Sequence, residues 1–162
     1  MIDFCRTAFS PCRTYRYTLW REWESLFGSG YVMFIGLNPS TADEIVDNPT
    51  VRRCIGYARD WGYAGLCMTN LFAFRATSFK DMMAAEDPIG PDNDRFLIEI
   101  AKDAGIIVAA WGVNGGHLGR DKVVRNMLPR LFCLGLTKQG FPAQPLYLPK
   151  GLTPVLWSED IE

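Results

Sequence analysis

Two amides stand where a folded chain could use them chemically. The run Val32-Met33-Phe34-Ile35 leads straight into Gly36-Leu37-Asn38-Pro39-Ser40-Thr41. Four apolar residues in succession suit a strand buried on both faces, and the Gly-x-Asn-Pro-Ser turn then puts short polar side chains at its carboxyl end. In open α/β sheets ligands bind outside that edge. Asn38 brings one acceptor and two donors there. The same residues also suit an ordinary strand-to-helix turn with Ser40 or Thr41 as the cap. The second amide, Asn70, lies inside the apolar stretch Leu66 to Phe72, where a buried side chain must find hydrogen-bond partners. Its donor and acceptor sit side by side and match the edge of a pyrimidine ring. Satisfaction by neighbouring backbone is the alternative.

Two further polar turns follow apolar segments: Gly112 to His117 after Ile106 to Trp111, and Gln144-Pro145-Leu146-Tyr147-Leu148 near the end of the chain. If the strands run parallel, these turns converge on one rim.

Other chemistries find little support. The five cysteines form no CxxC pair and His117 is the only histidine, so a zinc ribbon or a histidine-rich metal centre is excluded. Asp43, Glu44 and Asp47 could hold a magnesium ion, although acids so placed more often form a solvated helix start. No G-x-S-x-G elbow, Walker loop or G-x-G-x-x-G fingerprint occurs. No metal and no cofactor is expected.

The elements that must position these groups can be read from periodicity. Tyr15 to Trp23 alternates and suits an edge strand. Asn48-Pro49 reads as a helix cap and first helical position, opening a helix through Thr50 to Trp61 with Val51, Cys54, Ile55, Ala58 and Trp61 inward. Gly62 and Gly65 end it ahead of the Asn70 strand. Phe74 to Asp92 reads as a long loop holding a short helix near Phe79 to Ala85, and a helix follows over Asp92 to Ala104. Ile106 to Trp111 is a third buried strand, Arg120 to Leu131 a helix, and Leu131 to Leu136 a fourth strand. This alternation predicts an α/β fold: a three-layer α/β/α sandwich around a four-stranded, mainly parallel sheet. One domain over residues 1–162 is expected, with residues 1–30 as an N-terminal extension packing on the core.

Composition agrees with a globular chain: 48% of the 162 residues are hydrophobic and 22% charged, enough apolar surface for one core. The net charge of −1 supplies no global field for nucleic acid, which leaves a local patch, such as the one hinted at by Arg6, Arg13, Arg16 and Arg21. No apolar run reaches a membrane span and the start lacks a signal-peptide layout, so reduced thiols, a cytoplasmic location and no membrane association are expected.

Taken in order, strand-GLNPS, strand-TNLFAFR, strand-AAWG and a late QPLYL turn resemble the uracil-DNA glycosylase superfamily over about Val32 to Gly151. The chain also closely resembles a group of short bacterial and phage proteins defined only as a domain of unknown function, which share NPSTADE, DNPTVRRC and PLYL. The glycosylase resemblance implies that Asn38 positions the water that attacks the sugar carbon, with Asp43 or Asp47 assisting as base. It implies that Asn70 reads the base, in a pocket that Gly36, Leu37, Pro39, Ser40 and Phe72 help to form. Leu148 falls at the wedge position that fills the space of a flipped base, with Tyr147 beside it. Arg52, Arg53, Arg75 and Lys150 are candidate phosphate contacts, and DNA is the implied partner with no obligate protein partner.

Two departures from that pattern matter. Gln144 stands where the second motif usually begins with His; it can donate a hydrogen bond but cannot become cationic. Ser40 stands where strict uracil enzymes carry a Tyr that blocks the pyrimidine 5-position, which leaves room for a 5-substituted base, such as a hypermodified base of phage DNA, and hence for a role in phage defence. No well-placed lysine nucleophile suggests lyase chemistry, so a monofunctional N-glycosylase is expected. A non-catalytic base-binding module and an enzyme of modified nucleotides are the alternatives.

Overall fold

The computed structural model describes residues 2–128 and 130–158. Its centre is a parallel ladder built from the apolar runs. Strand β3 (Tyr31–Gly36) lies between β4 (Gly65–Asn70) and β5 (Ile106–Ala109), parallel to both, and β5 continues to β6 (Phe132–Cys133). The register Gly36 opposite Asn70 brings the ends of β3 and β4 level.

The α/β expectation holds, but among the described residues the sheet has seven strands rather than four. Antiparallel neighbours extend it on both sides: β2 (Arg16–Glu22) pairs with β4, β1 (Ala8–Phe9) with β2, and β7 (Val155–Leu156) with β6. The expected edge strand at Tyr15 to Trp23 is therefore one place in from the edge, and Arg16 to Leu19 within it are buried. Strands β1 and β2 of the N-terminal segment join the sheet, while Leu26 and Phe27 after them are exposed. The expected strand Leu131 to Leu136 shrinks to two residues.

Alternation along β3 divides the interior. Val32 and Phe34 join one apolar cluster, while Met33 and Ile35 join another, as a period of two requires. Helix α1 (Pro49–Asp60) covers the first through Val51, Cys54, Tyr57 and Ala58. Helices α3 (Asn93–Asp103) and α4 (Arg120–Met127) cover the second through Leu97, Ile100 and Val124, after the short α2 (Phe79–Ala84).

The start of α1 follows from its sequence. The Asn48 side chain accepts from Val51 N at 2.9 Å and Pro49 takes the first helical position, where no amide donor is missed. Along the same helix, Arg53, Tyr57 and Trp61 recur at i, i+4, i+8 and donate to the carbonyls of Leu148, Pro149 and Leu152. That row of donors ties the late QPLYL turn to α1. Among the described residues, no helix is long and apolar enough to cross a membrane.

Candidate functional site

A cavity of about 230 Å³ opens at the level ends of β3 and β4. Gly36, Leu37, Asn38, Pro39 and Ser40 line one part of it, Asn70 another, and Gln144 to Tyr147 a third. Of the four segments expected to converge, the Gly36 turn, Asn70 and the Gln144 turn meet here, while residues 112–117 are absent from the wall; parallel pairing of β3 with β4 brings the first two together.

The Asn38 amide is held through its Nδ2, whereas at Asn70 it is the main chain that is held. Asn38 donates through Nδ2 to Ala76 O at 2.8 Å and to Pro39 O at 3.2 Å, while its Oδ1 has no protein partner among the described residues. Ala76 N in turn donates to Pro39 O, so two loops fix the Asn38 amide. Asn70 is 4% exposed and its Nδ2 is buried without a partner. The Asn70 main chain is braced from behind: Asn93 Nδ2 donates to both Asn70 O and Leu71 O at 3.0 Å, and Arg120 Nε donates to Leu71 O at 2.9 Å. Both bracing side chains are buried, and Arg120 is further held by Asp94. Asn38 and Asn70 thus line one space, the first with an unbonded acceptor and the second with a buried, unpartnered donor.

Gln144 lies across the third turn. It donates a long hydrogen bond of 3.4 Å to Trp111 O and packs over Gly112, where a β-carbon would stand 3.0 Å from Gln144 Cγ. Gly112 also has φ +75°, so glycine is required there twice over. Ser40 lines the cavity and its Oγ accepts from Asn48 Nδ2 at 3.3 Å, which joins the turn to the start of α1.

The expected site residues do not all meet. Phe72 is fully buried in the cluster beneath α3 and α4 and is absent from the cavity wall. It packs instead on the ring of His117, 5.5 Å away. Strand β4 ends at Asn70, so its alternation no longer governs where Phe72 points. Asp43 is also outside the wall: its Oδ1 accepts from the amides of Ile45 and Val46 at 2.9 and 2.8 Å, and those two bonds lower its pKa. Leu148 is half-buried against the α1 cluster, whereas its neighbour Tyr147 is 80% exposed at the cavity rim.

Arg52, Arg53 and Lys150 do gather. With Gly56, Tyr57 and Leu146 they line a groove of about 460 Å³ that shares Leu146 with the cavity wall. Arg75 stands apart and donates to Arg13 O at 3.3 Å.

The largest addition to the expected site is Arg16, which the sequence suggested only as part of a surface patch. It is 3% exposed and lines the cavity from the first residue of β2. Its Nη1 donates to Ala42 O at 3.0 Å, its Nε is buried without a partner, and no carboxylate pairs with it among the described residues. Burial pulls its pKa down to about 10, with Arg75 and Arg21 adding repulsion, so it remains cationic at neutral pH. A charged residue in an alternating aromatic strand reads as solvent-facing, and only the loops packed over β2 reverse that.

A model of the family described as "Protein of unknown function (DUF1643)" matches residues 16–146. The chain belongs to this family. The match begins at Arg16 and ends at Leu146, so in this DUF1643 chain it takes in the cavity wall except for Tyr147. No curated protein and no solved structure matches the chain.

Proposed function

We propose that this DUF1643 chain is a monofunctional DNA glycosylase that hydrolyses the N-glycosidic bond of a flipped-out, 5-substituted pyrimidine. The observation that carries the reading is the meeting of Asn38 and Asn70 in one cavity with complementary unmet groups. Its volume, below the roughly 300–1,000 Å³ of sites that enclose drug-sized ligands, suits a single ring and its substituent. The resemblance of the three turns to glycosylase motifs supports the same assignment.

In this mechanism the base leaves the duplex stack, because the sugar carbon cannot be reached within it. Asn70 Nδ2 donates to a ring carbonyl. Asn38 Oδ1 accepts from a water and aims its oxygen at C1′. The C1′–N1 bond breaks with its electron pair on the base, the water oxygen bonds to C1′, and its proton passes to the departing base or to solvent. Gln144 supplies a neutral donor rather than a cation, so the oxocarbenium character of the sugar carries more of the barrier lowering. Arg52, Arg53 and Lys150 hold the flanking phosphates and Tyr147 occupies the vacated space.

One observation favours a second reading, a non-catalytic modified-base binder: the cavity wall contains neither an acid nor a histidine among the described residues. Asn38→Ala decides between them. With DNA carrying the released base, an enzyme loses base release by about 10²-fold or more while DNA binding persists, in line with the 10²–10⁴-fold contributions of positioned proton-accepting groups. Failure of the natural chain to release any modified pyrimidine from genomic DNAs, read by mass detection of free base, overturns the enzyme reading in favour of the binder.

A further inference from the structure

The two buried polar atoms of the cavity wall that lack a protein partner, Arg16 Nε and Asn70 Nδ2, are both donors. A ligand that brings acceptors to this wall matches the donors of both residues. At Arg16 the demand is stronger than for a neutral acceptor. A guanidinium removed from water without a counter-charge is costly, and its bonds to an oxyanion are about twice as strong as neutral ones. The charged groups facing it, Arg75 and Arg21, are themselves cations, and Arg21 is already paired with Asp47 at 2.7 Å. Thr50, in the first turn of the 12-residue α1, lines the same cavity, and the helix dipole there also favours negative charge.

Position turns this into a statement about the ligand. Arg16 holds Ala42 O, two residues beyond Ser40, so its guanidinium lies on the Ser40 side of the cavity. On the base-pocket reading, on which this inference rests, that is the side that receives the pyrimidine 5-substituent.

We propose that the 5-substituent is an oxyanion, a carboxylate or a phosphate monoester, bound by Arg16 at the start of α1. Arg16 is then the specificity-determining residue of the site, and Ser40 is small because the anion passes beside it.

The test is titration calorimetry on the whole chain with four probes: 5-carboxy-2′-deoxyuridine, its methyl ester, 5-phosphooxymethyl-2′-deoxyuridine and inorganic phosphate. The expected result is at least about tenfold tighter binding of one charged nucleoside than of the ester, which is about 1.4 kcal/mol. Which of the two it is distinguishes carboxylate from phosphate. Arg16→Gln abolishes the preference, Arg16→Lys retains part of it, and unchanged far-UV circular dichroism shows that both variants fold. Asn70→Ala weakens charged and neutral nucleosides alike. Equal binding of acid and ester, or a preference that survives Arg16→Gln, overturns the inference and leaves the base-pocket reading standing. Binding of inorganic phosphate that Arg16→Gln abolishes, with no nucleoside bound, overturns the base-pocket reading and with it the 5-substituent assignment. No binding of any probe overturns the inference.

Discussion

The Asn70 amide rests directly on the backbone of Gly36: a β-carbon at residue 36 would lie 2.9 Å from Asn70 Oδ1. The two residues are register partners at the ends of β3 and β4, so the missing side chain of one is the space occupied by the other. Gly36→Ala therefore displaces a buried amide. The expected cost is about 1–3 kcal/mol of stability, as for other small-to-large changes in packed interiors, together with loss of ligand binding. Chemical denaturation and calorimetry check it, and a variant that keeps both stability and affinity would show that Asn70 does not need that seat.

Asp43 holds a loop through its carboxylate. Its carboxylate caps the amides of Ile45 and Val46, and an asparagine oxygen can accept the same two bonds. Asp43→Asn should leave base release within about twofold, whereas loss of a general base costs about 10²–10⁴-fold. A drop of that larger size would restore Asp43 as the base. The capping bonds hold its pKa below the usual carboxylate value, so the stability they contribute is present above that value and is lost as pH falls through the lowered one.

The groove beside the cavity gives a salt signature. Arg52 and Lys150 are exposed and line it. If each meets one phosphate, Arg52→Ala and Lys150→Ala should each flatten the plot of log affinity against log salt by about 0.9. The loss should be equal for modified and unmodified DNA, because phosphate contacts carry no base information. Fluorescence anisotropy at several salt concentrations measures both quantities.

Thiol reactivity reports on the N-terminal turn. Cys12 is exposed and its pKa falls to about 7, mainly through its hydrogen bond with Ser10 and then that with Thr14. Since the thiolate is the nucleophile, alkylation at Cys12 should rise with pH to half its maximum near about 7. Cys54, Cys67 and Cys133 are buried and should stay unmodified in the folded chain, with burial pushing each thiol up. Peptide mapping after iodoacetamide treatment checks the order. Ser10→Ala should shift the Cys12 midpoint upward.

Local signals carried much of the architecture. The Asn48-Pro49 start of α1, the buried runs of β3 and β4, and the helix at Asn93–Asp103 depend on residues near one another in the chain, so periodicity and capping chemistry reveal them. Strands β1 and β7 are two residues each, too short for any period to register, and they exist only because a partner strand offers free backbone groups. Within the site, Asn38, Asn70 and Gln144 were legible because polar side chains at the ends of apolar runs are conspicuous. Leu148 was not, since the grip of Arg53, Tyr57 and Trp61 on the carbonyls of 148–152 spans more than ninety residues.

By itself the sequence determined the apolar runs that become β3, β4 and β5, the helix that starts at Pro49, and which turns carry amides. Those are matters of local propensity and period. Tertiary structure alone decided that Arg16 is buried in the cavity without a counter-charge, that Phe72 turns away into the core, and that Tyr147 rather than Leu148 is exposed at the rim. Each depends on which distant segment packs over a given face. Burial, unlike periodicity, is a property of the assembled chain.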